Sequence, residues 1–380
     1  MKAPPLIASE QDLTALLDEL RQAPVLAVDT EAASFHRHID RIYLIQVSTR
    51  ETTAIIDPIA VKDLSGFGAL LADPEIEVVF HDADYDLRLF DLQYGFRATR
   101  LFDTRVAAEL LNEPGLGLAA LLERHLDVRV DKRFQRADWS ARPISPEMLA
   151  YAANDTRHLV ALRDLLKARL EETGRLVWAE EEFEQMALVR WAPDEDREPG
   201  WLRLKGAKAL PPRQLAILRE VHGWRVEVAA RMDRAEFRVL GNEALFAIAR
   251  DAPTTVEALA AIKGIGRETL DRRGRDIIAA VRRAQRLKGD ELPRVERPPR
   301  RPREPEIEAR LARLKGARTD ITERLGLPPG VVCPNSALEA IARAAPTSLD
   351  QLGTIPGMRR WQVESFGADL LAALQPARTP

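Results

Sequence analysis

Two carboxylates stand two residues apart at the end of an apolar run: Val25 to Glu31, VLAVDTE, follows Pro24 and closes with Asp29 and Glu31. Side chains alternate along a strand, so residues i and i+2 point the same way and both acids face one site. Carboxylates held together repel unless a cation lies between them, which makes the pair a metal-site candidate. The competing reading is that Asp29 merely ends a strand and Glu31 is solvated, since short acidic triplets arise by accident. Two later stretches bear on that choice. His81 to Leu92, HDADYDLRLFDL, offers Asp82, Asp84, Asp86 and Asp91. Helices often begin with Asp at the cap or in the first turn, so most of these are read as capping residues. Asp86 is singled out, about one turn into the helix, where it points back across the top of the sheet. Farther on, Tyr151 and Asp155 lie four residues apart on a helix that starts at Pro146, with Ser145 as its cap and Glu147 in its first turn. That spacing stacks them on one helix face. Here the competing reading is a packed tyrosine and an aspartate paired with an arginine.

The elements that must position these acids follow from hydrophobic periodicity. Ser9 to Arg21 reads as an amphipathic helix, capped at Ser9 or Asp12, with Leu13, Leu16, Leu17 and Leu20 on one face. Arg41 to Thr49 and Thr52 to Ile56 are rich in β-branched residues and give two more strands beside the acid-bearing one, and Glu77 to Phe80 gives another. Helices are expected over Ser65 to Leu71, from Asp84 onward, and over Leu116 to Leu126. The result is an α/β domain, a sheet flanked by helices. Just before the helix of Tyr151, Asp131 to Pro143 combines Lys132, Arg133, Arg136 and Arg142 with Gln135 and Trp139. Cations for phosphates beside groups for sugar or base contact suit the mouth of a nucleic-acid site. Lys132, Gln135, Trp139 and Arg142 are the substrate-binding candidates there, against a plainer reading in which Trp139 is core and the cations are solvated.

A chain of 380 residues with 46% apolar and 6% aromatic residues exceeds one typical domain and carries ample material for a core. A single cysteine, Cys333, excludes a disulfide within the chain. The first residues lack a sustained apolar stretch, and no run approaches the about 18 apolar residues of a membrane span. A cytoplasmic monomer without membrane contact is expected. The net charge of −3 hides an asymmetry. Residues 1–200 hold 23 Lys and Arg against 37 Asp and Glu, whereas the remaining 180 hold 33 against 22. The surplus of +11 concentrates in residues 205–288, which carry +8, while residues 289–380 carry +2. A polyanion such as nucleic acid is the partner a basic module attracts.

The second half is a repeat. Asn242 to Val281 aligns without a gap onto Asn335 to Leu374 at a constant offset of 93, with 18 of 40 positions identical. Two copies of one helical module are implied, with caps expected at Thr254 and Thr347. Between them Arg294 to Pro305, RVERPPRRPREP, is a stiff, polar linker. In the first copy Lys263, Arg272 and Arg273 are candidates for phosphate contact around the KGIG turn; the alternative is that Gly264 simply makes a turn. The second copy replaces all three cations with Pro356, Ser365 and Phe366 and is expected to bind phosphate less well.

Asp29-x-Glu31, His81-x4-Asp86 and Tyr151-x3-Asp155 together resemble the three motifs of the DEDD exonucleases in their tyrosine subclass. FDT at Phe102 to Thr104, DKRFQRADW at Asp131 to Trp139 and the Arg142-Pro143 pair resemble the ribonuclease D family in particular, and the two repeats resemble its paired helicase-and-RNase-D C-terminal (HRDC) domains. The resemblance covers essentially the whole chain. It implies a ribonuclease H-like mixed sheet in residues 1–200, an all-α bundle in 205–288, a linker over 289–304 and a second bundle in 305–376. It also implies a 3′–5′ exoribonuclease that hydrolyses RNA with two divalent ions, Mg²⁺ or Mn²⁺, roughly 4 Å apart. In that scheme Asp29 bridges the ions, Glu31 and Asp155 complete one, Asp86 holds the other, and Tyr151 orients the attacking water. The products are nucleoside 5′-monophosphates and the expected substrates are precursor tRNAs and other small structured RNAs. The metal motifs alone also admit a DNA 3′–5′ exonuclease. A non-catalytic RNA-binding protein is a third reading, against which the complete set of four acids and Tyr151 stands.

Overall fold

The computed structural model describes residues 4–193, 198–295 and 304–375. Six strands, β1 (Leu6–Ile7), β2 (Val25–Ala32), β3 (Ile42–Ser48), β4 (Thr53–Ile56), β5 (Glu77–Phe80) and β6 (Leu101–Asp103), form one mixed sheet in the order β1-β4-β3-β2-β5-β6. β3 runs antiparallel to both β2 and β4, whereas β5 is parallel to β2 and β6. Every residue of β3 and β5 is buried, as in strands covered on both faces, the polar Gln46, Ser48 and Glu77 included. β2 lies between them; it is buried from Leu26 to Val28 and opens from Asp29 onward. The β2–β3 register shifts between Glu31 and Ala32, an irregularity that re-aims the chain beside the two acids.

The helices follow the periodicity closely. Ser9 Oγ accepts from the Asp12 N–H and caps Glu10–Leu20, whose Leu13, Leu16, Leu17 and Leu20 are buried. Ser65–Ala72, Asp84–Tyr94 and Leu118–Leu126 stand where helices were expected. β1 and β6 escaped the pattern because two and three residues are too few to show alternation. The single helix expected to carry Tyr151 and Asp155 is two, Pro146–Ala152 and Asn154–Arg157. Ala153 at the junction keeps helical dihedrals, so the two side chains remain one turn apart. Helices Leu159–Glu172 and Leu176–Ala187 complete the domain. Among the described residues no helix is long and apolar enough to cross a membrane.

Each repeat folds as a helical bundle. Pro212–Met232, Asn242–Asp251 and Arg267–Arg286 frame the first; Pro305–Leu325, Asn335–Ala344 and Arg360–Leu374 frame the second. The same clamp closes both. Arg225 donates to Asn242 Oδ1 at 2.7 Å, and Arg318 to Asn335 Oδ1 at 2.9 Å. Gly264 at φ 92° and Gly357 at φ 87° occupy the left-handed region, so this shared glycine is required by the turn itself. The caps lie one residue beyond the expected Thr254 and Thr347: Thr255 receives the Ala258 N–H and Ser348 the Gln351 N–H. Residues 296–303 of the expected linker lie outside the described residues, while Leu292 and Val295 pack against the first bundle.

The two bundles meet the α/β domain differently. The apolar core of the α/β domain runs without a break into the second bundle. Trp178 stacks on Trp361 with centroids 4.7 Å apart, and Glu182 accepts from Trp361 Nε1 at 3.0 Å and from Arg359 Nε. Glu181 accepts the N–H groups of Arg360 and Trp361 at 2.7 and 2.9 Å, a carboxylate set on a helix N-terminus from another domain. The first bundle keeps a separate core. It touches the loop after β2 through one edge-on ring pair, Phe35 with Phe237, and polar contacts: Asp233 Oδ1 accepts from the His38 and Ile39 N–H groups, and the Ala235 N–H donates to the His36 carbonyl.

Candidate active site

Asp29, Glu31 and Asp155 come together at the open end of β2. Each offers a carboxylate oxygen within 4.8 Å of those of the other two. Burial and the Asp155 charge hold the Asp29 carboxyl well above the usual range; burial and the charges of Asp29, Asp155 and Asp86 do the same to Glu31. Burial pushes Asp155 up to about 7. Among the described residues no Lys or Arg pairs with any of the three. Three desolvated hard-oxygen donors with no protein cation to balance them fit a hard divalent ion. Gln46 supports the fit. It faces Asp29 across the β2–β3 ladder, is fully buried, and neither amide atom has a hydrogen-bond partner, which is the condition of a group made for an ordered polar occupant such as water.

Asp86 lies outside the trio, in the first turn of Asp84–Tyr94. It is buried, its carboxylate receives the Thr30 hydroxyl, and burial and the nearby Asp29 charge raise its pKa strongly. Its rivals are engaged elsewhere. Asp84 is held by Arg88 in a two-point pair, Asp82 faces Arg105 at 3.6 Å, and Asp91 accepts the Trp191 N–H. Tyr151 lines a cavity together with Asp29, Glu31 and Asp155, its ring packed edge-on against Phe134 and tilted over Trp139. Burial, Asp155, Glu31 and Asp29 all push its phenol upward, so the hydroxyl keeps its proton.

The cavity over these residues measures about 460 Å³. Lys132 and Gln135 line it, as the sequence suggested. Trp139 and Arg142 do not, and their expected substrate contact is corrected. Trp139 is 1% exposed, a floor beneath Tyr151. Arg142 donates to both Asp57 oxygens at 2.7 and 2.9 Å and to the carbonyls of Trp139 and Tyr43, so it ties the segment to the sheet. Lys263, Arg272 and Arg273 are outside this cavity, on the first bundle; Lys263 and Arg272 are exposed, and Arg272 pairs with Glu268 at 3.1 Å. Sequence reasoning gave no role to His81, Arg105 and the start of Leu118–Leu126, which also line the cavity. For His81 the signal was available, since it opens the second acidic motif.

A mixed sheet whose central strand delivers two carboxylates to a tyrosine and a third acid on two consecutive late helices is the arrangement that the resemblance to 3′–5′ exonucleases implies. A 3′–5′ exonuclease family model matches residues 5–171, and the HRDC domain model matches residues 214–281 and 307–374. Ribonuclease D of Gluconacetobacter diazotrophicus is 32% identical over 373 residues, 97% of this chain and 92% of that protein. The crystal structure of Escherichia coli RNase D, an exoribonuclease involved in structured RNA processing, is 26% identical with a TM-score of 0.68 over 98% of both chains. A protein from Bifidobacterium adolescentis is 25% identical with a TM-score of 0.83, covering 98% of this chain and 97% of that one. The chain belongs to the ribonuclease D family.

Proposed function

We propose that the protein trims RNA from the 3′ end, releasing nucleoside 5′-monophosphates, with two divalent ions, Mg²⁺ or Mn²⁺, as cofactors. Maturation of precursor tRNAs and other small structured RNAs is the task that suits it. The observation that carries this reading is the trio Asp29, Glu31 and Asp155, mutually within 4.8 Å and without a balancing cation among the described residues. Asp29, Glu31 and Asp155 would hold one such ion, and Asp86 with Asp29 would hold the other. Bound there, divalent ions acidify a water and stabilise charge on the attacking and leaving oxygens.

The chain's own groups do the rest. The Tyr151 hydroxyl, kept protonated by burial and its acidic neighbours, donates to the attacking water and orients it rather than removing its proton. Lys132 and Gln135, on the cavity wall, receive phosphate and sugar. Residues 1–200 supply the chemistry, and the basic bundle in 205–288, with Lys263, Arg272 and Arg273, supplies affinity for the polyanion. The bundle in 305–376 is the weaker binder. Incubation with Mg²⁺ or Mn²⁺ and matched RNA and DNA oligomers, read by resolving the products, tests the reading. Stepwise loss of 5′-monophosphates from the RNA 3′ end is expected. Faster digestion of DNA points to the alternative exonuclease, and binding without cleavage to the non-catalytic one.

A further inference from the structure

His81 is the first residue after β5. β2 and β5 run parallel with Ala27 opposite Val79, and the same register carried two residues farther brings His81 level with Asp29. The imidazole lines the cavity that holds the acidic trio, yet the trio within 4.8 Å does not include it. Its two nitrogens have different surroundings. Nδ1 lies 2.9 Å from the Thr104 hydroxyl, and that hydroxyl lies 3.0 Å from the Phe80 carbonyl oxygen. A carbonyl oxygen only accepts, so the single proton of the Thr104 hydroxyl goes to Phe80, leaving its lone pairs for His81. Nδ1 must then carry the ring proton and donate it to Thr104. Burial outweighs the raising charge of Asp82 and, with a smaller push from Arg105, brings the imidazole pKa down to about 4, so the ring is neutral near pH 7. Nε2 is therefore a bare acceptor with a fixed tautomer, and no hydrogen-bond partner for it occurs among the described residues.

A bare acceptor is an unusual group on an acidic wall. It repels phosphate and the carboxylates around it, and it rewards a neutral donor. A nucleotide offers three kinds: sugar hydroxyls, exocyclic amines and ring imino N–H groups. Uridine has no exocyclic amine, and adenosine and cytidine have no imino N–H, so an enzyme that passes every nucleotide through one cavity finds only the hydroxyls on all of them. We propose that His81 Nε2 accepts a hydrogen bond from a ribose hydroxyl of the 3′-terminal nucleotide and makes this cavity select sugar. The inference rests on the proposed exoribonuclease reading and adds a specificity residue to that site.

Two substitutions separate the nitrogens. In His81→Asn the amide N–H reaches Thr104 in place of Nδ1 while nothing occupies the place of Nε2; His81→Gln keeps a polar oxygen near Nε2. Each variant is assayed against an all-ribose oligomer and against oligomers whose last residue alone is 2′-deoxy or 3′-deoxy. The wild type should prefer the all-ribose end by about tenfold in kcat/KM over one of the deoxy ends, the weight of one neutral hydrogen bond. His81→Asn should reduce that preference to near unity, His81→Gln should retain part of it, and the rise in melting temperature on adding Mg²⁺ should be the same in all three proteins. The arm that collapses identifies the hydroxyl. Unchanged preferences in His81→Asn overturn the proposal, as does a ¹⁵N spectrum of the wild-type ring with the proton on Nε2. A wild type that leaves RNA intact removes the function reading instead, and the spectrum still reports the tautomer.

Discussion

The two helical bundles share a sequence pattern, an Arg–Asn clamp and a glycine turn, but only the second is built into the nuclease core. The repeat shows why. Trp361 and Phe366 of the second copy stand where the first has Glu268 and Arg273. Trp361 is 2% exposed and stacks on Trp178, whereas the Glu268 side chain is 78% exposed and pairs with Arg272. One face of the same helix is thus a weld in one copy and a charged solvent face in the other. Identical folds do different work once an aromatic residue replaces an acid at the decisive turn: one copy completes a core, the other keeps its cations available.

That division predicts sharply different consequences. The largest belongs to the nuclease unit alone. Asp155→Asn and Asp29→Asn should lower kcat by roughly 10³-fold or more, and Tyr151→Phe by roughly 10²-fold, as for loss of a water-orienting group. RNA affinity in filter binding should be unchanged in all three if, as proposed, the basic bundle supplies it. A parallel loss of affinity would break the separation of chemistry from binding.

Next comes the weld. Trp361→Ala removes a buried indole from the shared core and should destabilise the nuclease and second bundle together by about 3–5 kcal/mol in denaturant titration. Phe237→Ala, at the half-exposed contact of the first bundle, should change the same transition by about 1 kcal/mol or less. Equal effects would show that both bundles are integrated to the same degree.

A smaller effect is expected on binding. Neutralising Arg272 and Arg273 should raise KM several-fold without changing kcat and lower the salt slope of RNA binding by about 2. The same change at Arg359 and Arg360 should weaken binding less, since Arg359 is already held by Glu182.

The smallest effect separates the units by pH. In metal-free protein the Asp155 carboxyl, pushed up to about 7 by burial, keeps a proton that the unfolded chain releases near pH 4. The native state binds more protons over that window, so the stability of the nuclease unit is full below it and falls as pH rises toward about 7. A divalent ion held by these carboxylates would take the place of that proton. Addition of Mg²⁺ should therefore raise the melting temperature by several degrees at pH 8 and by little at pH 5, with the transition of the first bundle unmoved by either.

Much of this architecture was legible in the residues themselves. Alternation and β-branched runs located the central strands; period 2 put Asp29 with Glu31 and period 3.6 put Tyr151 with Asp155, while the resemblance to the DEDD exonucleases, not spacing, joined these pairs with Asp86 into one expected site. What stayed hidden depended on contacts distant in sequence. Trp139 and Arg142 look like substrate groups in a basic, aromatic stretch, and only the fold shows one beneath Tyr151 and the other spent on Asp57. His81 could be noted as part of a motif, but its tautomer needed Thr104, 23 residues on. The β1 and β6 strands were too short to leave a pattern.

The weld also sets an order of events during synthesis. Glu182 and Trp361, hydrogen-bonded to each other, are separated by 179 residues. At about 5–20 residues per second, roughly ten to forty seconds pass between them on the ribosome. Throughout that interval the nascent nuclease presents Trp178 and a pair of glutamates that the second bundle will later cover. The first bundle, whose core is local, can close while the nuclease waits. A chain interrupted between the two bundles would thus carry all four candidate active-site acids on an unfinished core, a state that chaperones and proteases recognise by its exposed apolar surface.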